Sequence, residues 1–137
     1  MSGDFLEELL GGQVRRDIRR AIGIYRSLAV KPLPPAAARA QASRALKVIA
    51  TEPVQWSWNQ AIDELVDVTR CVPWWAEAHY NVALLFEDRT HGSQRRYYEH
   101  SWAAYRFVAA QEYIFCVGAD PQGSKADAAR KMLKEWK

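Results

Sequence analysis

Apolar residues recur every three or four positions along most of this chain, the spacing that places side chains on one face of an α-helix. Between positions 13 and 29 they are Val14, Ile18, Ala21, Ile22, Tyr25 and Leu28. The same spacing predicts helices over 36–51, 55–71, 96–117 and 124–136, another that begins at Ala76, and a short one at 4–10. Alternating β-branched segments, which would predict strands, are almost absent. The pattern therefore predicts an all-α fold.

Proline and glycine divide the predicted helices. The segments "KPLPP" at 31–35 and "GADPQG" at 118–123, together with Pro53, interrupt the apolar pattern, and the polar stretch "RTHGSQRRYYEH" from Arg89 predicts a loop. Ser124, with Asp127 three residues later, resembles a helix N-cap. Because the links are short, neighbouring helices are expected to pack antiparallel.

Composition narrows the class of protein. With 137 residues, of which 49% are hydrophobic and 26% charged, the chain can build the core of one compact domain. It has no apolar run long enough for a membrane span, and its acidic opening lacks the features of a secretory signal, so we expect a cytoplasmic location. Cys71 and Cys116 lie far apart within apolar helical patterns, which favours buried small side chains over a disulfide or a zinc site.

Charge is distributed unevenly along the sequence. Residues 1–50 carry nine basic and four acidic side chains (+5), residues 51–93 carry two and seven (−5), and residues 94–137 carry eight and five (+3). This alternation favours packing within the chain or a partner of mixed charge. It differs from the dense basic stripe of a dedicated nucleic-acid-binding protein, so nucleic acid is an unlikely partner.

Two segments share a motif with a known repeat. Ala61-x3-Leu65 and Ala109-x3-Tyr113 each lie twelve positions before a proline, and His79-x2-Val82-Ala83-x2-Phe86 precedes the second of them. With "PWWAEAHYNVAL" and "AARKMLKEW", these motifs resemble the tetratricopeptide repeat of bacterial type over residues 18–136. The repeats are divergent: His79 and Ala83 replace the usual tryptophan and glycine, and the spacing is 48 residues instead of 34.

The resemblance implies a right-handed α-α superhelix of helical hairpins in a single domain over 1–137. It divides the chain into N-terminal capping helices (1–34), a divergent repeat (36–75), a second repeat with an insertion near 90–103 (76–122), and a C-terminal capping helix (124–136). Ala61, Ala83 and Ala109 should let paired helices approach closely. Trp74 and Trp75 fall in the turn between the repeats, where we expect structural packing.

The same resemblance implies a non-catalytic adaptor or scaffold that binds a peptide or protein surface in a concave groove. The groove-facing residues would be Glu77, Tyr80, Asn81 and Leu84, with Lys47 and Arg44 placed to meet acidic groups of a ligand. Two roles of Asn81 stay equally open. Its side chain either hydrogen-bonds the backbone of a ligand or links neighbouring helices of the chain.

The insertion is rich in aromatic residues and arginine, the composition of interface hot spots. Tyr97 and Trp102 are its candidate partner-binding residues, and the alternative is that the segment folds over the array as a cap or as core. The run "RRDIRR" at 15–20 could bind phosphates or anionic lipid, but we favour the interpretation that it is a solvated helix face.

Motifs for catalysis are lacking. His79, His91 and His100 do not have metal-ligand spacing, and the chain contains no phosphate-binding loop, dinucleotide motif or nucleophile elbow. We therefore expect that this protein is not an enzyme and that it binds no metal or cofactor. Two alternatives to the adaptor stay open, a self-assembling structural subunit and, less favoured, an RNA-binding or other nucleic-acid-binding helical domain.

Overall fold

The computed structural model describes residues 4–51, 55–90 and 97–136. These residues form seven α-helices and no strand, which confirms the all-α prediction. The helices are α1 (Leu6–Leu10), α2 (Gly12–Ser27), α3 (Ala36–Thr51), α4 (Gln55–Cys71), α5 (Ala76–Thr90), α6 (Trp102–Ala119) and α7 (Ala126–Glu135). Within this described part no helix is long and apolar enough to cross a bilayer.

Helices that are consecutive in the chain pack against each other from α3 onward. α3 packs on α4 and α5 on α6, with α4 against α5 and α7 against α6. The two N-terminal helices contact each other as well, but both also lie against α6, which is far away in sequence. The predicted N-terminal capping segment therefore covers the second helix pair, and the chain folds back on itself.

α6 is the central helix of the molecule. It contacts α1, α2, α5 and α7, and its sequence is apolar on most of its circumference, as expected for a helix covered by several neighbours. Phe115 packs with Ile18 and Ile22 of α2, whereas Tyr113 and Cys116 of the same helix pack with α7 through Ala129. Different faces of one helix thus bind different parts of the chain.

The three alanines expected at close helix contacts are all interior. Ala61 is 4% exposed, and Ala83 and Ala109 are fully covered. Ala61 and Ala109 belong to the main core, and Ala83 packs in a second cluster between α5, α6 and α7. The inward orientation predicted for these small residues is confirmed.

Two predicted helix starts were wrong. α6 begins at Trp102, not near residue 96, because Tyr98 has a left-handed backbone (φ 51°) and the Ser101 hydroxyl accepts a hydrogen bond from the Ala104 amide at 3.1 Å. α7 begins at Ala126 after Lys125, without a side-chain cap, so the N-cap predicted at Ser124 is not formed. Part of the predicted insertion, residues 91–96, lies outside the described residues.

The buried alanines generate a stability prediction. Ala83→Leu should lower the free energy of unfolding by about 2 kcal/mol, because three added carbons have no space where Ala83 packs against α6 and α7. Ala128→Leu, at an exposed position of α7, is the matched control and should change it by less than about 0.5 kcal/mol. Urea denaturation followed by circular dichroism measures both. Equal effects of the two substitutions would show that Ala83 is not in a tight contact.

Candidate functional site

The turn between α4 and α5 contains the adjacent tryptophans. The Trp74 ring stacks on Tyr25 of α2, with centroids 4.7 Å apart and planes within 5° of parallel. Trp74 and Trp75 are both half-buried and pack against the main core. The pair therefore fixes this turn against α2 and the core, in agreement with the structural role expected for it.

A cleft of about 190 Å³ opens beside this turn. We call it the joint cleft. Its walls are the rings of Tyr25, Trp74 and Trp75 and the segment Pro32–Pro34, and Glu77, Asp120 and Lys125 are exposed around it. Pockets for whole small-molecule ligands measure about 300–1,000 Å³. The joint cleft is smaller, so its size suits one apolar or aromatic side chain of a larger ligand.

An exposed face of α5 leads into the joint cleft. Glu77 lines the cleft, and Asn81 and Leu84 follow it along the helix at intervals of four and three residues, which keeps all three on one side. Leu84 is 39% exposed. Tyr80 lies at the edge of this face, where its ring packs against Tyr113 and under the Lys125 ammonium. Four of the predicted groove residues thus lie together, with Tyr80 partly covered.

The predicted basic residues of the groove lie elsewhere. Arg44 and Lys47 are exposed on α3, which packs on α4, and no hydrogen bond or ion pair among the described residues joins them to α5. Trp102, at the start of α6, is 40% exposed. Arg44 and Lys47 thus lie apart from the α5 face, and Trp102 lies at the opposite end of α6 from Cys116, which lines the cleft together with Glu77.

Tyr97 is an interior residue, which corrects its assignment as a partner contact. It is fully covered, and its hydroxyl donates to Asp63 Oδ1 at 2.5 Å and accepts from the Phe5 amide at 2.8 Å. The neighbouring Tyr98 hydroxyl donates to the other oxygen of Asp63 at 2.8 Å, and the Tyr98 amide donates to Asn59. These bonds fix the residues before α6 to α4 and to the N-terminus. Tyr97 and Tyr98 thus fit the cap-or-core interpretation.

Burial and the Asp63 carboxylate both disfavour ionisation of these phenols. They raise the pKa of Tyr98 from its ordinary value of 10.0 to about 12, and they raise the pKa of Tyr97 further. Burial, together with a hydrogen bond to Glu87, also raises the pKa of Tyr113. The folded chain consequently favours the neutral form of three tyrosines.

A buried histidine–glutamate pair joins α5 to α6. His79 Nδ1 lies 2.9 Å from Glu112 Oε1, and His79 Nε2 lies 2.7 Å from the Pro73 carbonyl oxygen. A carbonyl only accepts, so Nε2 must carry a hydrogen. One further proton must then lie between Nδ1 and the carboxyl group, on either atom. In both arrangements the pair is neutral overall, which lowers the cost of burying two ionisable groups.

Sequence reasoning did not find this pair. Its signal was nevertheless present, because Glu112 lies on the same helical stripe as Tyr105, Ala109 and Cys116, and a charged residue on a buried stripe requires a partner. The sequence does not identify that partner, since His79 is 33 residues away.

The two cysteines differ in exposure: Cys71 is exposed, so the burial expected for it was wrong, whereas Cys116 is buried as expected. Burial is the main cause that raises the pKa of the Cys116 thiol to about 11, so little reactive thiolate forms at neutral pH. Over the described ranges, no three His, Cys, Asp or Glu side chains are grouped so that they could hold a metal ion.

The described residues thus define an all-α helical array with an aromatic cleft and an exposed helix face beside it. No protein-family model, curated protein or solved structure matches the chain. The functional assignment therefore depends on the chain's own residues.

The histidine–glutamate pair yields a testable prediction. Glu112→Gln should lower the free energy of unfolding by about 1 kcal/mol or less, because an amide N–H can donate to His79 Nδ1. Glu112→Ala should lower it by about 3 kcal/mol, because it leaves a buried ring nitrogen without a partner and opens a cavity. Urea denaturation compares the two, and ¹⁵N NMR should show Nε2 protonated in the Gln variant. Similar losses would argue against a hydrogen bond between the two side chains.

The tyrosine pKa values predict alkaline instability. Because the folded-state values are raised, their contribution to stability is complete below pH 10 and falls as the pH rises from 10 towards 12. Absorbance at 295 nm follows the ionisation of tyrosines, and circular dichroism follows the loss of helix. The tyrosines with raised pKa values should ionise over the same pH range in which the helical signal is lost. Tyr98→Phe should reduce this pH dependence. Ionisation of every tyrosine near pH 10 in a chain that stays folded would contradict it.

Proposed function

We propose that this chain is a non-catalytic protein-interaction module, a tetratricopeptide-like adaptor or scaffold, that binds a peptide along the outer face of α5. One observation carries the proposal: Glu77 belongs to that face and also lines the joint cleft, so the two surfaces are continuous. A peptide on α5 would place one apolar or aromatic side chain in the cleft.

The residues of this surface suit a peptide. Leu84 offers an exposed apolar contact, and the half-buried Asn81 carries an amide that can both donate to and accept from a peptide backbone. Trp74, Trp75 and the proline segment give the cleft rigid apolar walls. Rigid aromatic residues bury much area at low entropic cost and are frequent anchors of protein interfaces.

No catalytic role is assigned to the reactive residues nearby. Both ring nitrogens of His79 are already hydrogen-bonded, and the Cys116 thiol is buried with a raised pKa. Their contacts support a structural role for the histidine and for the cysteine, which agrees with a module whose activity is binding.

The proposal is tested with peptides selected from a random library on the wild-type chain. Asn81→Ala with Leu84→Ala should weaken binding of a selected peptide about tenfold, because a backbone hydrogen bond and an apolar contact are lost. Trp75→Ala should weaken it at least as much. Isothermal titration calorimetry gives the dissociation constants, and circular dichroism checks that each variant is folded.

Ile24→Ala provides the matched control. Ile24 is an exposed apolar residue of α2, 58% accessible, and does not line the joint cleft. Its replacement should leave the dissociation constant unchanged. If the α5 variants bind as tightly as wild type, or if Ile24→Ala has the same effect as they do, the α5 face is not the binding surface.

A further inference from the structure

One edge of α2 carries a row of arginines. Arg15, Arg19 and Arg26 are spaced by four and seven residues, so they follow a single edge of the helix. The Arg15 guanidinium lies 5.0 Å from the centre of the Phe107 ring, which places this edge beside α6. Later in both helices, Ile22 Cγ2 lies 3.9 Å from the position that a β-carbon on Gly118 would occupy. The contacts therefore advance together along the two sequences, which means that α2 and α6 run in the same direction.

The outward side of α6 next to these arginines is apolar. Ala103, Phe107, Ala110 and Ile114 share one side of the helix, and Phe107 and Ile114 are 37% and 44% exposed. We call this surface, with the three arginines, the arginine face. Arg106 adds a further cation beside it, over the ring of Trp136.

Neither α2 nor α6 contributes an acidic group to the arginine face over the residues that the structure describes. Glu112, the acidic residue within α6, is buried against His79. Asp17, the acidic residue within α2, lies on another side of that helix, where it accepts a hydrogen bond from Gln13. The arginine face therefore presents positive charge around exposed apolar side chains.

α4 carries a surface of the opposite charge. Trp56, Gln60, Glu64 and Asp67 are spaced by four, four and three residues and share one side of the helix. Trp56 is 66% exposed. The Gln41 amide of α3 donates to Glu64 at 2.6 Å and to Asp67 at 3.1 Å, which holds two carboxylates side by side without adding a cation. We call this surface the acidic face.

The negative charge of the acidic face is not cancelled by an ion pair among the described residues. Arg44, one turn along α3 from Gln41, is exposed and forms no ion pair there with Glu64 or Asp67. An exposed tryptophan beside two carboxylates is complementary in charge and chemistry to arginines beside an apolar stripe. Within this chain, guanidinium groups already lie over Phe5, Phe107 and Trp136.

The two faces belong to helices separated by α5, which packs against both α4 and α6. We propose that a second copy of this chain is the partner, with the acidic face of one protomer on the arginine face of the next. The contact is head to tail, so each protomer keeps one free face and association can continue. This proposal is independent of peptide binding at the joint cleft.

Both faces are small, so association should be weak, with a dissociation constant on the order of 100 µM at low salt. Analytical ultracentrifugation of the full chain from about 10 µM to about 1 mM should show the weight-average mass rising with concentration. Because the contact is electrostatic, the rise should diminish between about 0.01 M and 0.15 M salt, where the screening length falls from about 30 Å to about 8 Å.

Charge reversal distinguishes head-to-tail docking from other contacts. E64K with D67K removes the acidic face, and R19E with R26E weakens the arginine face while leaving Arg15 on Phe107. Each double variant should stay monomeric alone. A one-to-one mixture should associate again, because the intact acidic face meets the intact arginine face and the reversed lysine face is also complementary to the reversed glutamate face. Trp56→Ala should raise the dissociation constant about fivefold.

R16E with R20E is the matched control, with the same charge change on a different side of α2, and it should associate like wild type. Circular dichroism verifies folding of all variants. The proposal is overturned if wild type stays monomeric throughout, if the mixture does not associate, or if the control variant also loses association. Binding of the monomeric chain to vesicles of anionic phospholipid through Arg19 and Arg26 would assign the arginine face to a lipid surface and would equally overturn it.

Discussion

The neutral pair formed by His79 and Glu112 is the constraint on which the rest of the structure depends. It holds α5 to α6, the pairing around which α1, α2 and α7 are arranged, and through Nε2 it also fixes the Pro73 carbonyl. The residue after Pro73 is Trp74, whose ring stacks on α2. The hydrogen bond from Nε2 to the Pro73 carbonyl thereby sets the position of the turn that forms one wall of the joint cleft.

A second buried carboxylate organises the region before α6. Asp63 accepts from the hydroxyls of Tyr97 and Tyr98, and Tyr97 also accepts from the Phe5 amide, so three separate parts of the chain meet at one polar centre. This contact lies beside Phe86 in α5, whereas His79 lies near the start of that helix. Polar contacts thus fix the α5–α6 pair at two positions along its length, and apolar side chains pack between these positions.

The outer surface carries the features on which the two proposals, peptide binding and association between copies, are based. One face of α5 leads to an aromatic cleft, and oppositely charged faces lie on α4 and on α2 with α6. If protomers associate head to tail, the proposed peptide sites are repeated along the assembly. Repetition would raise the effective concentration of sites for a multivalent ligand without any new contact within one protomer. The uneven charge along the sequence then becomes a means of association between copies.

The sequence alone determined the all-α class, most helix positions and the burial of Ala61, Ala83 and Ala109, because helical periodicity and small residues on apolar stripes are local properties. It also placed Glu77, Asn81 and Leu84 on one helix side. Only the tertiary structure decided that α1 and α2 return to α6, that Tyr97 is interior, and that His79 meets Glu112. Those outcomes depend on which distant segments satisfy a buried polar group, and helical periodicity does not encode the choice of partner.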